Sequence, residues 1–433
     1  MSTGRTLDIN LPVLARVEGE GALDLTVRDG RVQEVRLRIF EPPRLFEKFL
    51  EGRGYAEVPD LVARICGICP VAYQMSAVHA IEQVFGVDPG PWARAMRRLF
   101  YCGEWIESHA LHIHLLAAPD FLGYPSAPAM AADHAGAVRR GLALQALGNE
   151  LIALLGGRSV HPVGACVGGF HRAPAQEEAA RMLERLREAV ALAESLVAWT
   201  AGLPLPGTRQ AFTSVSLRHP GEYPMNEGRL VSDRGLDIDI ADFEQRFAER
   251  QVAHSTALHC LLDGGDYLVG PLARLNLNFD RLPPAVQAAA RATGIEWPSA
   301  NVFHGIVARA VEIHYAVLEA IRLLEAFSVP DAARVPVVPR PGVGFGCTEA
   351  PRGALWHRYE LDAAGRVVRA RIVPPTSQNQ ARIEADLRAA LSAEVLARDD
   401  DAIRAYCETV IRNYDPCISC ATHFLDLRVD RSP

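Results

Sequence analysis

The chain has 433 residues with 45 basic and 52 acidic side chains, which gives a formal net charge of −7 at pH 7. Hydrophobic residues make up 49% and charged residues 22%, a composition typical of a folded globular protein that excludes disordered and collagen-like chains. A net acidic chain without a basic patch lacks the charge that nucleic-acid backbones require, so we expect no nucleic-acid partner.

The sequence offers no export signal and no membrane span. Met1–Asn10 has neither a long apolar run nor a twin arginine, and no later stretch reaches the roughly 20 uninterrupted apolar residues of a spanning helix. We therefore expect a cytoplasmic protein. In that reducing compartment, nine cysteines are more typical of free thiols or metal ligands than of disulfides.

The first predicted element is a β hairpin over residues 8–40. Apolar and polar residues alternate through Gly21–Arg28 and Val32–Ile39, and the Asp-Gly pair between them is typical of a two-residue hairpin turn. A Pro-Pro pair ends the pattern. Arg44–Glu51 then predicts a short helix.

Helix dominates the prediction from residue 58 to residue 330. Apolar residues recur at three- and four-residue spacing in six segments, near residues 70–86, 91–117, 134–155, 174–202, 240–262 and 299–328. Several of these segments begin with proline or an aspartate cap and end near glycine.

The C-terminal part predicts a loop, a small strand pair and two helices. Residues 329–346 are rich in proline and glycine, as in a connecting loop. Strands follow at Trp356–Leu361 and Arg366–Val373, and helices at 379–397 and 401–412. The predicted fold class is therefore mainly α with small β elements (α+β), with a C-terminal region at 331–423.

Two C-x-x-C pairs carry the clearest chemical signal. Cys66 and Cys69 lie where a loop gives way to helix, with Pro70 suited to the first helical position, and Cys417 and Cys420 lie near the other end of the chain. This spacing lets two thiolates bind one ion. A helix beginning after Cys69 would lower thiol pKa values and favour thiolate.

Three kinds of site fit these pairs. A structural zinc site with four cysteine ligands is possible, although the halves of zinc ribbons usually lie much closer in sequence. A thioredoxin-like dithiol would need a βαβ context that is missing around Cys66. The third interpretation is a thiolate site for a soft transition metal that joins both ends of the chain.

The segments Arg64-x-Cys66-Gly-x-Cys69-Pro70 and Asp415-Pro416-Cys417-x-x-Cys420-x-x-His423 resemble the paired signatures of the large subunit of [NiFe] hydrogenases. The run Arg-Ile-Cys-Gly-Ile-Cys-Pro-Val-Ala-Tyr is similar to that of the cytoplasmic, bidirectional NAD(P)-linked group. The resemblance implies one large-subunit unit over residues 1–433, with a helical-bundle core and terminal segments that meet at the metal site.

For the metals, the resemblance implies a nickel–iron centre with CO and cyanide ligands on the iron. Cys66 and Cys417 would be terminal nickel ligands, and Cys69 and Cys420 would bridge nickel and iron. Pro374, Thr376 and Ser377 would cradle the cyanides, since they resemble the family's Pro-Pro-Thr-Ser loop.

Two further motifs resemble catalytic segments of the family. Arg16-Val17-Glu18-Gly19 implies that Glu18 is the first proton relay, because splitting H2 into a hydride and a proton needs a base near the metal. Ala350-Pro351-Arg352-Gly353 implies that the Arg352 guanidinium hangs over the metals, with Cys420 beside it as a catalytic thiolate. Outside the family context, both charged residues would be ordinary turn or surface residues.

Glu47 resembles the family's ligand for a buried Mg2+, and His423 would be the second protein ligand. Without the resemblance, Glu47 would be expected to form an ordinary surface ion pair with Lys48 or Arg44. A tail over residues 424–433 follows. The family implies that an endopeptidase removes this tail after His423 once nickel is inserted.

Other histidines and cysteines receive structural interpretations. We predict that His109, His112 and His114, on one helix, are core or proton-relay residues, and His161 resembles a family stretch near the cofactor. Tyr73 stands where many family members have histidine. The remaining cysteines are predicted to be small buried residues; they are Cys102, Cys166, Cys260, Cys347 and Cys407.

The function implied is reversible cleavage of H2 into protons and electrons. Because both cysteine pairs are assigned to the active site, we expect no iron–sulfur cluster in this chain. Electrons would leave through an iron–sulfur small subunit, then a flavin subunit to NAD(P), and nickel-insertion proteins would assist maturation. The alternatives are a deazaflavin-linked hydrogenase, a hydrogen sensor, a non-catalytic scaffold like those of complex I, and a structural zinc protein.

Overall fold

The computed structural model describes residues 6–422, and its first element is a three-stranded antiparallel sheet. The strands are β1 (Leu7–Leu11), β2 (Gly21–Arg28) and β3 (Arg31–Ile39), with β2 in the centre. Asp29 and Gly30 both have positive φ, 51° and 70°, which matches the right-handed twist of the flanking strands. The structure thus contains the predicted hairpin and adds β1 to its edge.

A helical layer follows this sheet. Its helices are α1 (Phe46–Leu50), α2 (Val58–Val62), α3 (Pro70–Phe85), α4 (Gly90–Leu111), α5 (Ala118–Phe121), α6 (Ala127–Gly156) and α7 (Gln176–Ala201). A π-helical turn, His112–Ala117, continues α4. The short strands β4 (Ala165–Cys166) and β5 (Gly169–Phe170) pair between α6 and α7.

The prediction of a helix over residues 240–262 is wrong. The chain forms β6 (Val215–Arg218), β7 (Arg229–Ser232), β8 (Asp237–Ile238), α8 (Phe243–Arg246), β9 (Phe247–Arg250) and β10 (His259–Leu262). Phe243 and Phe247 do have the four-residue spacing of a helix, but the helix here is the single turn α8. Their rings stack on each other with the centroids 4.3 Å apart. Residues 251–258, a mixture of polar and apolar side chains, then reverse the chain, so β9 and β10 pair as a hairpin.

The rest of the chain alternates helix and sheet. It contains α9 (Pro271–Asn278), α10 (Pro284–Ala292), α11 (Gly305–Glu325), β11 (Gly342–Ala350), β12 (Gly353–Leu361), β13 (Val367–Val373), α12 (Pro375–Ala390), α13 (Ala393–Leu396), α14 (Asp400–Asn413) and α15 (Ile418–Ala421). The predicted loop over 329–346 therefore ends earlier than expected, because β11 adds a third strand to the predicted pair.

Packing against α3 places the first cysteine pair beside the β11–β12 sheet. Gly344 and Gly346 on β11 lie against the backbone of α3, where a Cβ atom would collide with the carbonyl oxygens of Ala80 and Ser76. Ser76 Oγ lies 2.7 Å from Thr348 Oγ1, which fixes the same contact. The long helices α4, α6, α7 and α11 pack against one another behind this layer.

Both ends of the described chain enter the same core. The segment before β2 pairs with the start of α15, where Ile418 N donates to Glu18 O at 3.0 Å. The architecture is mixed α+β, as the sequence predicts.

None of the helices over residues 6–422 combines the length and the apolar character that crossing a lipid bilayer would require.

Candidate metal centre

Local backbone geometry positions the first cysteine pair. Cys69 caps the N-terminus of α3, and Pro70 occupies its first position, where a missing N–H is harmless. The turn before the helix folds back, so Cys66 Sγ accepts hydrogen bonds from Ile68 N at 3.3 Å and Cys69 N at 3.2 Å. Both thiols are buried.

The second pair lies directly against the first. Cys66 Sγ is 3.4 Å from Cys417 Sγ, Cys69 Sγ is 3.5 Å from Cys420 Sγ, and the sulfurs of Cys417 and Cys420 are 2.9 Å apart. All four sulfurs lie within 4.8 Å of one another, and none is in a disulfide. The fold therefore brings together residues that are 351 positions apart.

Burial and mutual hydrogen bonding control the charge of these thiols. Burial raises the pKa of Cys69, Cys417 and Cys420, whereas hydrogen bonds from the neighbouring thiols outweigh burial and lower the pKa of Cys66. Of the first pair, the pKa of Cys66 thus moves in the direction predicted for these thiols and that of Cys69 moves in the opposite direction. The α3 N-terminus is already satisfied by Glu104, whose carboxylate accepts from Val71 N at 2.6 Å and Ala72 N at 3.1 Å.

Glu18 reaches the cysteine cluster through the backbone pairing of its segment with α15. Its Oε2 lies 3.1 Å from Cys417 Sγ and accepts from Ser419 N at 3.0 Å. Gly19 has a φ of 90°, and a Cβ there would come within 2.6 Å of the Ile418 side chain. The glycine after Glu18 is therefore what allows this close approach.

Arg352 lies in the turn between β11 and β12 and points into the cluster. Its Nε donates to Asp415 O at 2.8 Å, and one terminal nitrogen donates to Asp415 Oδ1 at 3.0 Å. Although burial opposes the charge, Asp415 and the cysteine sulfurs raise the pKa of Arg352 further. A small cavity among Arg352, Cys69, Cys420 and neighbouring residues has this cation on its wall.

A buried ion network holds the turn that carries Arg352. Arg274 donates to Glu312 Oε1 at 2.8 Å and Oε2 at 2.7 Å, and to Glu349 Oε2 at 2.9 Å. The same guanidinium donates to the carbonyl oxygens of Ala350 at 2.7 Å and Pro351 at 3.0 Å. All three charged residues are 0% exposed, so this network fixes the backbone directly before Arg352.

The segment predicted to cradle the cyanides begins α12. Thr376 lines the cavity, and its hydroxyl accepts from Cys417 N at 3.1 Å. Pro375 also lines it, whereas Pro374 caps the helix and accepts from Ser377 Oγ at 3.3 Å. Of the two hydroxyl residues, the structure places Thr376 at the cavity and turns Ser377 toward the backbone.

Glu47 lies on α1 and is half-buried, with Oε1 accepting from Ile372 N at 2.6 Å. Lys48 pairs with Glu51 instead of Glu47. Arg44 N donates to the carbonyl oxygen of Thr422 at 2.7 Å. This bond holds Thr422, the last described residue, beside the segment that leads into α1 and Glu47. His423 and the tail over 424–433 lie outside the described residues.

Tyr73 also lines the cavity. Burial and the nearby Cys420 raise the pKa of its phenol well above the usual range, so Tyr73 stays protonated and neutral.

The other predicted histidines make structural contacts. His112 bonds Arg412 O at 2.8 Å, His114 stacks on Trp199, and His109 Nε2 lies 2.9 Å from Glu312. His161 bonds Ala63 O at 2.7 Å and so braces the first cysteine segment. The five isolated cysteines are buried, as expected.

Sequence reasoning missed the residues that support the site from a distance. Glu104 and Arg274 touch the helix and the turn described above, yet neither stands in a recognisable spacing. In the sequence, each is only a charged residue within a strongly apolar stretch, which is typical of buried, paired ions. Asp415 belongs to the second cysteine signature, but its contact with Arg352 was not predicted.

The residues present fit a thiolate-bound metal centre. Four sulfurs within 4.8 Å supply soft ligands, and the adjoining cavity has a cation and a hydroxyl on its walls, which suit anionic ligands on a metal.

A family model described as nickel-dependent hydrogenase matches residues 44–141 and 263–423. The chain is similar to the alpha chain of sulfhydrogenase 2 from Pyrococcus furiosus, with 32% identity over 97% of this chain and 100% of the relative. It is also similar to an F420-non-reducing hydrogenase chain of Methanothermobacter thermautotrophicus, with 30% identity over 96% of this chain and 95% of the relative. Among solved structures, an NAD+-reducing [NiFe]-hydrogenase superposes with a TM-score of 0.88 and 29% identity over 96% of this chain and 99% of that one.

Proposed function

The chain belongs to the nickel-dependent hydrogenases, and on that premise we propose that it is a catalytic large subunit that cleaves H2 reversibly into protons and electrons. The observation that carries the proposal is the buried cluster of four thiols beside a cavity lined by Arg352. A non-catalytic scaffold would need neither the four ligands nor a charged guanidinium buried beside them.

Cys66 and Cys417 would hold nickel as terminal ligands, and Cys69 and Cys420 would bridge to iron. The cavity touches Cys69, Cys417 and Cys420 but not Cys66. It supports space for the group beside these sulfurs, and the division into terminal and bridging ligands rests on the family resemblance. The nickel–iron group, with CO and cyanide on iron, would supply the electrophilic site at which H2 is polarised.

Glu18 would take the proton. Its Oε2 lies 3.1 Å from Cys417 Sγ, within reach of a proton held on that sulfur. The hydrogen bond from Ser419 N holds the carboxylate in this position. A proton that reaches Glu18 leaves the buried cluster toward a half-exposed side chain, which gives the relay its outward direction.

Arg352 and the start of α12 would provide the electrostatic surroundings. A guanidinium that cannot be deprotonated stabilises negative charge that develops in the cavity, and its bonds to Asp415 prevent it from collapsing onto the sulfurs. Thr376 and the helix N-terminus beside it would contact the cyanide ligands, supported by the place of Thr376 on the cavity wall.

Glu47 and His423 would bind Mg2+. Support comes from the hydrogen bond between Arg44 N and Thr422 O, because it holds the residue before His423 near the start of α1. We also propose that an endopeptidase cuts after His423 once nickel is inserted. Mass spectrometry of active enzyme should then show a chain that ends at His423.

NAD(P) is the proposed final electron acceptor, which would place the enzyme in the cytoplasm. The structural similarity to an NAD+-reducing hydrogenase supports this acceptor. The four clustered cysteines are assigned to the nickel–iron centre. Electrons would therefore leave through an iron–sulfur small subunit, then through a flavin subunit.

Metal analysis with infrared spectroscopy tests the function. Purified enzyme should contain nickel and iron in equal amounts and show CO and cyanide stretching bands, and Cys420→Ser should remove both the bands and H2 uptake. Zinc alone in mature protein would contradict the proposal and favour a structural site. Reduction of deazaflavin but not NAD(P) would contradict only the proposed acceptor.

A further inference from the structure

A second cluster of metal-binding side chains lies outside the cysteine centre. In the described part of the chain, His254, His259 and Glu384 each place one ligand atom within 4.8 Å of the other two. His254 belongs to the loop between β9 and β10, His259 begins β10, and Glu384 lies within α12. The fold thus brings two imidazoles and a carboxylate together from separate elements.

The His259 ring is the feature that points to a ligand. The residue is 5% exposed, and its Nε2 is buried without a hydrogen-bond partner among residues 6–422. A buried polar atom left in this state has lost its water and gained no bond in return. Burial, and to a smaller extent the neighbouring His254, lowers the pKa of His259 to about 4. The ring is therefore neutral at pH 7, which is the form that binds metals.

Glu384 is held in place by two hydrogen bonds, and a bound ion would take the place of the proton in the bond from His254. Its Oε1 accepts from His254 Nε2 at 2.8 Å and from Leu37 N on β3 at 2.8 Å. A backbone donor of this kind holds a ligating carboxylate in place. A simple His–Glu hydrogen bond accounts for His254 and Glu384, but it leaves the buried nitrogen of His259 unexplained.

Of the three side chains, His254 borders a cavity. His254 lies on the wall of a cavity of about 510 Å³, together with Phe40, Gln251 and Thr256. Water or a small ligand would therefore reach a bound ion from the His254 side.

We propose that His254, His259 and Glu384 bind a divalent transition-metal ion, with Zn2+ preferred, at a site separate from the cysteine centre. Two histidines and one carboxylate with an open fourth position are a ligand set typical of zinc. The bound ion joins the β9–β10 hairpin to α12 and, through Leu37, to the N-terminal sheet. It therefore stabilises the folded enzyme.

Metal binding to the intact, nickel-loaded complex tests this site, because the cysteine thiolates are then occupied. After dialysis against Zn2+ or Co2+, elemental analysis should find one added equivalent. The spectrum of the Co2+ form minus that of the undialysed complex should show visible bands of nitrogen and oxygen ligation without added sulfur charge transfer. Either His259→Gln or Glu384→Gln should weaken the added binding by at least about 10- to 100-fold. The matched control, His171→Gln, changes an exposed histidine and should leave it intact.

Three results would overturn the proposal: no added equivalent, added binding that persists in both variants, or a sulfur charge-transfer band in that difference spectrum. Glu384→Gln keeps an oxygen for Leu37 N, so its fold should survive. If His259→Gln fails to assemble, His254→Gln takes its place. Zn2+ should also raise the thermal midpoint of the wild-type complex but not that of Glu384→Gln. Nickel, iron and infrared bands stay unchanged in the variants, which separates this site from the proposed hydrogenase function.

Discussion

At the scale of single residues, Glu18 combines a structural and a chemical role that one substitution separates. Glu18→Gln keeps an oxygen for the Ser419 N–H but cannot accept a proton. We expect H2 oxidation to fall by about 10²- to 10⁴-fold, with nickel and iron content unchanged. H2 uptake with an artificial acceptor and elemental analysis measure both quantities.

The matched control for Glu18 is Glu20→Gln, which removes an exposed carboxylate two residues away and should leave activity unchanged. Activity of Glu18→Gln within twofold of wild type would exclude Glu18 as the proton acceptor.

Arg274 is the residue on which the buried ion network depends. Arg274→Met leaves Glu312 and Glu349 buried without their cation, and breaking such a pair from one side costs about 3–5 kcal/mol of the free energy of unfolding. The Arg352 turn also loses two hydrogen bonds to its backbone. We expect a lower denaturation midpoint and reduced H2 oxidation in the protein that does fold.

Chemical denaturation of Arg274→Met beside Arg218→Met checks this expectation. Arg218 pairs with Asp280 in a partly exposed position, where such pairs contribute about 0–1 kcal/mol. Similar losses in the two variants would show that the buried network contributes no more than a surface pair.

At the scale of elements, the close contact between α3 and β11 sets the position of Cys69. Gly346→Ala places a methyl group against the backbone of Ser76 and Ala80, which cannot rotate away as a side chain does. We expect a loss of about 1–3 kcal/mol in the free energy of unfolding. Because α3 begins directly after Cys69, H2 oxidation should fall as well.

Gly136→Ala is the control for that substitution. Gly136 lies exposed in α6 with open space around it, so alanine there should stabilise the protein by about 0.5–1 kcal/mol. If Gly346→Ala is equally neutral or stabilising, the two elements have room to separate and the contact does not position Cys69.

The sequence predicts an element well when the residues that stabilise it are close together in the chain, and poorly when they are far apart. Long helices such as α4 and α7 are predictable because their apolar residues repeat at helical spacing over many turns. The segment over 240–262 forms no long helix, because Phe247 stacks on Phe243 and Phe243 stacks on Trp356, which lies far away in sequence. Likewise, the motifs identify both cysteine pairs, but no local pattern shows that Glu104 occupies the N-terminus of α3.

At the scale of the whole molecule, the two ends of the chain depend on each other. Arg412 on α14 donates to Ala15 O at 3.0 Å and pairs with Asp120, and the Glu18 segment pairs with α15. The cluster of sulfurs therefore forms only when the N-terminal, central and C-terminal segments have docked. For this reason global stability and an intact metal centre should change together.

Buried neutral histidines determine how that stability responds to acid. Burial lowers the pKa values of His79 and His112 to about 3, and those of His109 and His114 to about 4, from an ordinary value of 6.5. As the pH falls below 6.5 the unfolded chain binds protons at these rings and the folded chain does not. Each ring therefore removes about 1.4 kcal/mol per pH unit from the free energy of unfolding, until the pH reaches its folded pKa.

We expect the unfolding midpoint in urea to fall steeply between pH 6.5 and pH 4 and to change little between pH 7 and pH 8. His112→Gln removes one such ring and should flatten the slope by about 1.4 kcal/mol per pH unit, since one fewer proton is taken up on unfolding. The exposed His171→Gln should leave the slope unchanged. A slope that is the same in wild type and His112→Gln would mean that His112 is already protonated in the folded protein, contrary to its burial against Arg309 and Arg412.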